Sequence, residues 1–346
     1  MAQDRLSQAP AQSGRRKGPA YPEACFVMDR RAFEKIYDAD TRERLGNATR
    51  LYGDPIEVDA LDDHADVLAR AEIILSGWGS PKLDAAFLDR VPNLRLYLYG
   101  AGATDKLITG ACRERGIRVS SAIAFNAGPV AEFTVAQIVL ALKRAWPMAR
   151  EIRESDAPIG DGVTMADPPP GCYGSTVGLV SLGHIGREVA RRLRAMDLDV
   201  IAYEPGQPDD DGSLNHLRYG SLDEVFRRSD VVSLHTPLNA ETTRMFTRAH
   251  FERMKPNAAL INTARGRLIA QDELCEVLRK RTDLIAQLDV LDAACPSTET
   301  LRRLPNVFVT PHIAGSIGPE CARLGRAMAD ELHRYLNHEP LRHRVV

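Results

Sequence analysis

Gly183 and Gly186 stand three apart in the stretch STVGLVSLGHIGREVARRLRAMDLDVIAYEP (175–205), which reads as strand, glycine turn, helix, strand. They match the second and third glycines of a G-x-G-x-x-G fingerprint. The second glycine lets backbone approach a pyrophosphate, and the third lets helix and strand pack closely. A helix opening at His184 and Ile185 turns free N–H groups toward the phosphates, and Ile185, Val189 and Leu193 give it an apolar face. Glu204 ends the second strand, where a carboxylate can accept hydrogen bonds from ribose hydroxyls. Pro205 and Gly206 follow it with no adjacent arginine, which points to NAD over NADP. One element departs from the fingerprint: its first glycine is Ser181.

Such a turn works only inside a sheet. From about residue 23, short apolar runs alternate with amphipathic ones: 24–29, 72–78, 94–100 and 117–121 read as buried strands, with helical stretches at 62–70, 84–90 and 105–115. This alternation implies an α/β fold with a parallel sheet covered on both faces. A second series follows, with strands at 176–180, 200–203, 231–235, 258–262, 284–290 and 307–310. Between the two lies AEFTVAQIVLALKR (131–144), apolar on two stripes and so a helix buried on most sides. The Pro- and Gly-rich segment 157–174 reads as a loop or arm. A last helix, about 319–337, comes after the second series is complete and can pack back on the first.

At 346 residues, two domains are expected. The 44% hydrophobic and 27% charged residues are the balance of a soluble globular protein. A net charge of −2 creates no field to gather nucleic acid or a membrane surface, so a small anion must be held by local donors. The six cysteines form no C-x-x-C pair, which implies neither a metal site nor a disulfide framework but reduced thiols in the cytoplasm. Residues 1–20 read as a polar, disordered tail, and no apolar stretch approaches the length of a membrane span.

Four further stretches fix the class: DVVSLHTPL (230–238) followed by Thr242, INTARG (261–266), LDV (288–290) and TPHIAGS (310–316). In this order and spacing, with the glycine turn and VAEFTVAQIVLALKR before them, they resemble the D-isomer-specific 2-hydroxyacid dehydrogenases over roughly residues 70–335. The resemblance implies a central Rossmann NAD-binding domain, 124–316, and a discontinuous flavodoxin-like substrate domain, 21–123 and 317–346. It also implies a homodimer and a small 2-keto or D-2-hydroxy acid as substrate. By position, Arg265 is the catalytic arginine, whose planar fork suits a 2-keto acid bidentately, and His312 is the acid/base. Asp289 receives the nicotinamide carboxamide, Thr236 and Pro237 line the nicotinamide ribose side, Thr263 and Ala264 the edge near Arg265, and Thr242 is a further cofactor-binding residue. His235 is a structural residue of its loop. Trp78-Gly79 and Ala101-Gly102 resemble the loops whose backbone N–H groups take the substrate carboxylate.

In the family, a glutamate five residues after the position of Asp289 pairs with the histidine. Here that position is Ala294. Asp292 is the first candidate to compensate and Glu299 the second. The missing carboxylate keeps open an alternative reading, a catalytically silent NAD(H)-binding sensor or corepressor-like protein.

Overall fold

Buried β-branched and leucine-rich runs separated by amphipathic helices can satisfy both apolar faces of a strand only by parallel crossover connections. The computed structural model describes residues 21–105, 107–154, 169–206, 212 and 214–346, and it builds two such sheets. The tail 1–20 and residues 157–168 of the expected arm lie outside the described residues.

The first sheet comes from β1 (Glu23–Val27), α1 (Arg30–Ile36), α2 (Ala39–Ala48), β2 (Arg50–Ile56), α3 (Ala65–Arg70), β3 (Ile73–Ser76), α4 (Ala85–Arg90), β4 (Leu96–Tyr99), α5 (Gly110–Glu114) and β5 (Arg118–Ser121). Its strand order, β2-β1-β3-β4-β5, is that of flavodoxin. Two helices follow, α6 (Ile123–Leu142) and α7 (Ala145–Glu154). The second series contains β6 (Ser175–Val180), α8 (His184–Leu193), β7 (Leu198–Tyr203), β8 (Arg218–Tyr219), α9 (Leu222–Arg228) and β9 (Val231–Leu234). It continues through α10 (Arg248–Glu252), β10 (Ala259–Asn262), α11 (Gln271–Lys280), β11 (Ile285–Leu288), α12 (Thr298–Leu301) and β12 (Val307–Val309). These strands order as β12-β11-β10-β9-β6-β7-β8, the Rossmann arrangement with one strand added at the edge. Every strand pair in both sheets is parallel.

The final helix, α13 (Cys321–Leu336), returns to the first sheet. Its Leu324, Met328 and Leu332 share one core with Phe26, Phe33, Tyr37 and Leu98. On the same helix Glu331, 1% exposed, accepts hydrogen bonds from Ser120 Oγ and from the Arg342 and His343 amides.

Helix α6 begins at Ile123, eight residues before the sequence places it, and runs through Pro129. It packs against α8, β9 and β10 and also against α13, so tertiary burial overrides the missing proline donor. By length and composition it could cross a membrane, which corrects the expectation that no stretch approaches a span. A buried core helix meets the same criterion, and this one buries Ala131, Ile138, Ala141 and Leu142. The six cysteines carry no disulfide.

Candidate active site

In open parallel sheets, the strand ends where the order reverses leave a crevice. In the second sheet that point lies between β6 and β9. Ser181 follows β6 with φ of 73°, the left-handed conformation for which the fingerprint uses glycine. A non-glycine residue there costs about 1–3 kcal/mol. Ser181 Oγ is 3.2 Å from Thr236 Oγ1, on the loop after β9, a bond that a glycine could not make. Gly186 explains itself by contact, because a Cβ would sit 2.2 Å from the Ser181 carbonyl oxygen. Gly183 caps α8 with no side-chain bond to the helix N-terminus, and a Cβ there meets nothing within 4 Å. Free helix donors facing open space are a fit for a pyrophosphate. The Glu204 carboxylate ends β7 and accepts the Leu182 amide of that same turn.

The other wall is made by the first sheet. Gly79 follows β3 with φ of 80°, and a Cβ on it would lie 2.5 Å from Asp29 Cβ. The Trp78 carbonyl accepts the Asp29 amide at 3.1 Å, which fixes the loop. Among the described residues, the amides of Trp78, Gly79, Ala101 and Gly102 donate to no backbone carbonyl.

Between the two walls lies a cleft of ≈ 480 Å³. Trp78, Gly79, Gly102, Ile185, Thr263, Arg265, Asp289 and His312 all line it. Ala101 is fully buried and is not among the residues that line it. His184 lines a separate groove with Phe125 and Arg323, so it brings its backbone alone to the helix N-terminus. Thr236 is buried against Ser181, and Thr242 Oγ1 donates to the Pro237 carbonyl at 2.7 Å, bracing that loop. Ala264 is 7% exposed.

Arg265 owes its position to Asn262, the fully buried last residue of β10. Its Oδ1 accepts the Ala264 amide and its Nδ2 donates to the Arg265 carbonyl, both at 3.0 Å. The guanidinium donates to the Ala264 carbonyl at 2.7 Å and meets Asp105, on the loop after β4, at 3.4 Å. His312 is exposed at the cleft with φ of 57°. The carboxylate of Asp289, 3% exposed, holds that conformation: Oδ1 accepts from Thr310 Oγ1 at 2.6 Å and the Ile313 amide at 2.8 Å, and Oδ2 accepts the Ala314 amide at 3.0 Å. The His312 amide donates to the Asp289 carbonyl at 3.0 Å.

A family profile described as "D-isomer specific 2-hydroxyacid dehydrogenase, NAD binding domain" matches residues 135–314. The chain belongs to the D-isomer-specific 2-hydroxyacid dehydrogenases. It is 28% identical over 300 residues to the hydroxypyruvate reductase of Thermotoga maritima, covering 84% of this chain and 94% of that one. It is 31% identical over 268 residues to a glyoxylate reductase of Thermofilum pendens, covering 75% and 76%. The apo crystal structure of D-mandelate dehydrogenase from Rhodotorula graminis shares the fold, with a TM-score of 0.80 over 94% of this chain and 98% of that one, at 22% identity.

This dehydrogenase is therefore an NAD-dependent oxidoreductase. From Glu204 it is expected to bind NADH more tightly than NADPH by on the order of tenfold or more, since a 2′-phosphate meets a carboxylate already ordered at the turn. Equal dissociation constants in a fluorescence titration would reject that role.

Neither compensating acid reaches His312. Asp292 turns its Oδ1 back to the Ala294 amide at 3.2 Å, and its backbone is bound to Gln271 of α11. Glu299 pairs on the surface with Arg302 and Arg303. Asp292, the first candidate to compensate, is thus bonded within its own loop and not to His312. His235 is buried and bonded to Ser233 Oγ at 3.1 Å, and burial pushes its pKa down to about 4, so it is neutral and structural. Asn262, Asp105 and Asn126, whose Oδ1 accepts the Ser316 amide at 2.9 Å, are site residues that sequence reasoning missed. Only Asn262 carried a signal, an Asx turn closing a buried strand. Among the described residues no group of three His, Cys, Asp or Glu side chains is placed to hold a metal.

Proposed function

We propose that this dehydrogenase interconverts a small 2-keto acid and its D-2-hydroxy acid, with Arg265 binding the substrate and His312 exchanging the proton. The observation that carries the reading is that both side chains, on loops of different strands, face one cleft beside the N-terminus of α8. When bound, NADH supplies the hydride that reduces the keto carbon. Arg265 grips the carboxylate with its remaining donors, assisted by the free amides of Trp78, Gly79 and Gly102. His312 gives its proton to the carbonyl oxygen and recovers it in the reverse direction. Gly183, His184 and Gly186 hold the pyrophosphate by backbone. Thr236, Pro237 and Thr242 shape the wall on the nicotinamide ribose side, and Thr263, Ala264 and Asp289 the nicotinamide edge.

In this reading the substrate domain is 21–123 with 317–346 and the NAD domain is 124–316, supported by the packing of α13 on the first sheet. A cytoplasmic homodimer completes it. Its support is the family, together with α7, an amphipathic helix with no buried residue. NADH oxidation against glyoxylate, hydroxypyruvate, pyruvate and phenylpyruvate tests the reaction. Firm NADH binding with no turnover on any of them would replace it by the silent-binder reading.

Among the described residues no side chain is bonded to the ring of His312, whose charged form reduction requires. Ala294→Glu adds a carboxylate, which favours the charged ring, and the basic limb of the pH profile of kcat/KM should move up by about 1 pH unit. An unmoved limb would mean that a carboxylate at 294 does not reach His312.

A further inference from the structure

We propose that Asp105 is a specificity-determining residue of the cleft: it admits a 2-keto acid whose group beside the carbonyl is neutral or donates a hydrogen bond, and it rejects one carrying a second negative charge there. The inference rests on the reaction proposed above. Arg265 and Asp105 stand 160 residues apart, on loops of different sheets, yet their side chains meet at 3.4 Å across the cleft, 32% and 29% exposed. One terminal nitrogen of the guanidinium is already given to the Ala264 carbonyl. Any anion that takes the remaining donors therefore lies beside the Asp105 carboxylate. Tyr99 places all three groups in one neighbourhood: burial raises its pKa, the charge of Asp105 raises it further, and Arg265 opposes both.

The charges lining the cleft decide what fits. Asp289 is buried, with both oxygens accepting from the His312 loop. Lys82 is exposed, its charge solvated. That leaves Arg265, matched by Asp105, and the exposed His312, whose proton goes to the carbonyl oxygen. One carboxylate can bind, because the loop amides add donors without charge. A second anion would face Asp105 with no buried cation to offset it, whereas a hydroxyl or amide N–H there gains an acceptor. Rejection by an unfavourable charge is a common source of selectivity.

Oxamate and oxalate isolate the effect, since they share a shape and differ by NH2 against O−. Calorimetry on the NADH-loaded protein should show oxamate binding tighter by on the order of tenfold or more. Asp105→Asn should reduce that ratio to within about threefold, by strengthening oxalate, and Asp105→Glu should restore it. In turnover, the preference for hydroxypyruvate over oxaloacetate should fall in Asp105→Asn by a similar factor. If keto acids are reduced but Asp105→Asn leaves both ratios unchanged, the charge filter is wrong and the reaction stands. If no keto acid is reduced while the oxamate preference still depends on Asp105, the reaction is wrong and the filter stands.

Discussion

Arg265→Lys is expected to lower kcat/KM for 2-keto acid reduction by roughly 100-fold or more while leaving the NADH dissociation constant nearly unchanged. Lysine keeps the charge but presents a point donor in place of a planar fork. Losing one or two charge-assisted bonds at about 1.5–3 kcal/mol each gives that magnitude. The surroundings sharpen the expectation, because the Ala264 carbonyl and Asp105 hold the guanidinium at fixed donors, and an ammonium cannot satisfy both and a substrate in the same plane. Steady-state kinetics with parallel NADH titration checks it. Wild-type kcat/KM would remove Arg265 from the substrate site, and a matching loss of NADH affinity would move it to the coenzyme.

The second large effect belongs to Asp289. Asp289→Ala leaves Thr310 Oγ1 and the Ile313 and Ala314 amides without their acceptor. Each such loss costs about 1–3 kcal/mol when buried. Those bonds also hold His312 in the left-handed region, which is strained for any side chain but glycine. The loop should relax, with kcat/KM falling about 100-fold and amide exchange at Ile313 and Ala314 accelerating by a comparable factor. Asp289→Asn keeps one acceptor oxygen and turns an NH2 toward a donor, so it should fall between. If NADH affinity collapses while exchange at these amides stays slow, Asp289 acts on the coenzyme and not through the loop.

Much of this was legible in the sequence because it depends on patterns with a short physical reach. Alternating buried strands and amphipathic helices gave the two parallel sheets, and Gly186 announced a contact that only glycine permits. Other features had no local signature. Strand β2 contains Gly53 and Pro55, both poor strand residues, and survives at a sheet edge where the missing donor faces no neighbour. The start of α6 was hidden by Gly128 and Pro129, since its helicity comes from packing between the two sheets. Ser181 looked like a defect until its φ and its bond to Thr236 showed a left-handed turn fixed by other means. The pairing of Asp105 with Arg265 joins residues 160 apart, and the use of the Asp289 carboxylate depends on how the loop at 310–314 closes. Neither is written in spacing.

Helix α13 carries a consequence for how the chain is made. The first sheet is complete at Ser121, but the apolar face that receives Leu324, Met328 and Leu332 is not covered until α13 has left the ribosome. About 200 residues of synthesis separate the two, on the order of 10–40 s at usual elongation rates. During that interval the whole β6–β12 sheet can form, while Phe26, Phe33 and Tyr37 wait with one side open. The later sheet thus matures before the earlier one. A nascent chain stalled before residue 321 would present a finished coenzyme fold joined to an exposed apolar surface, the kind of species that chaperones retain.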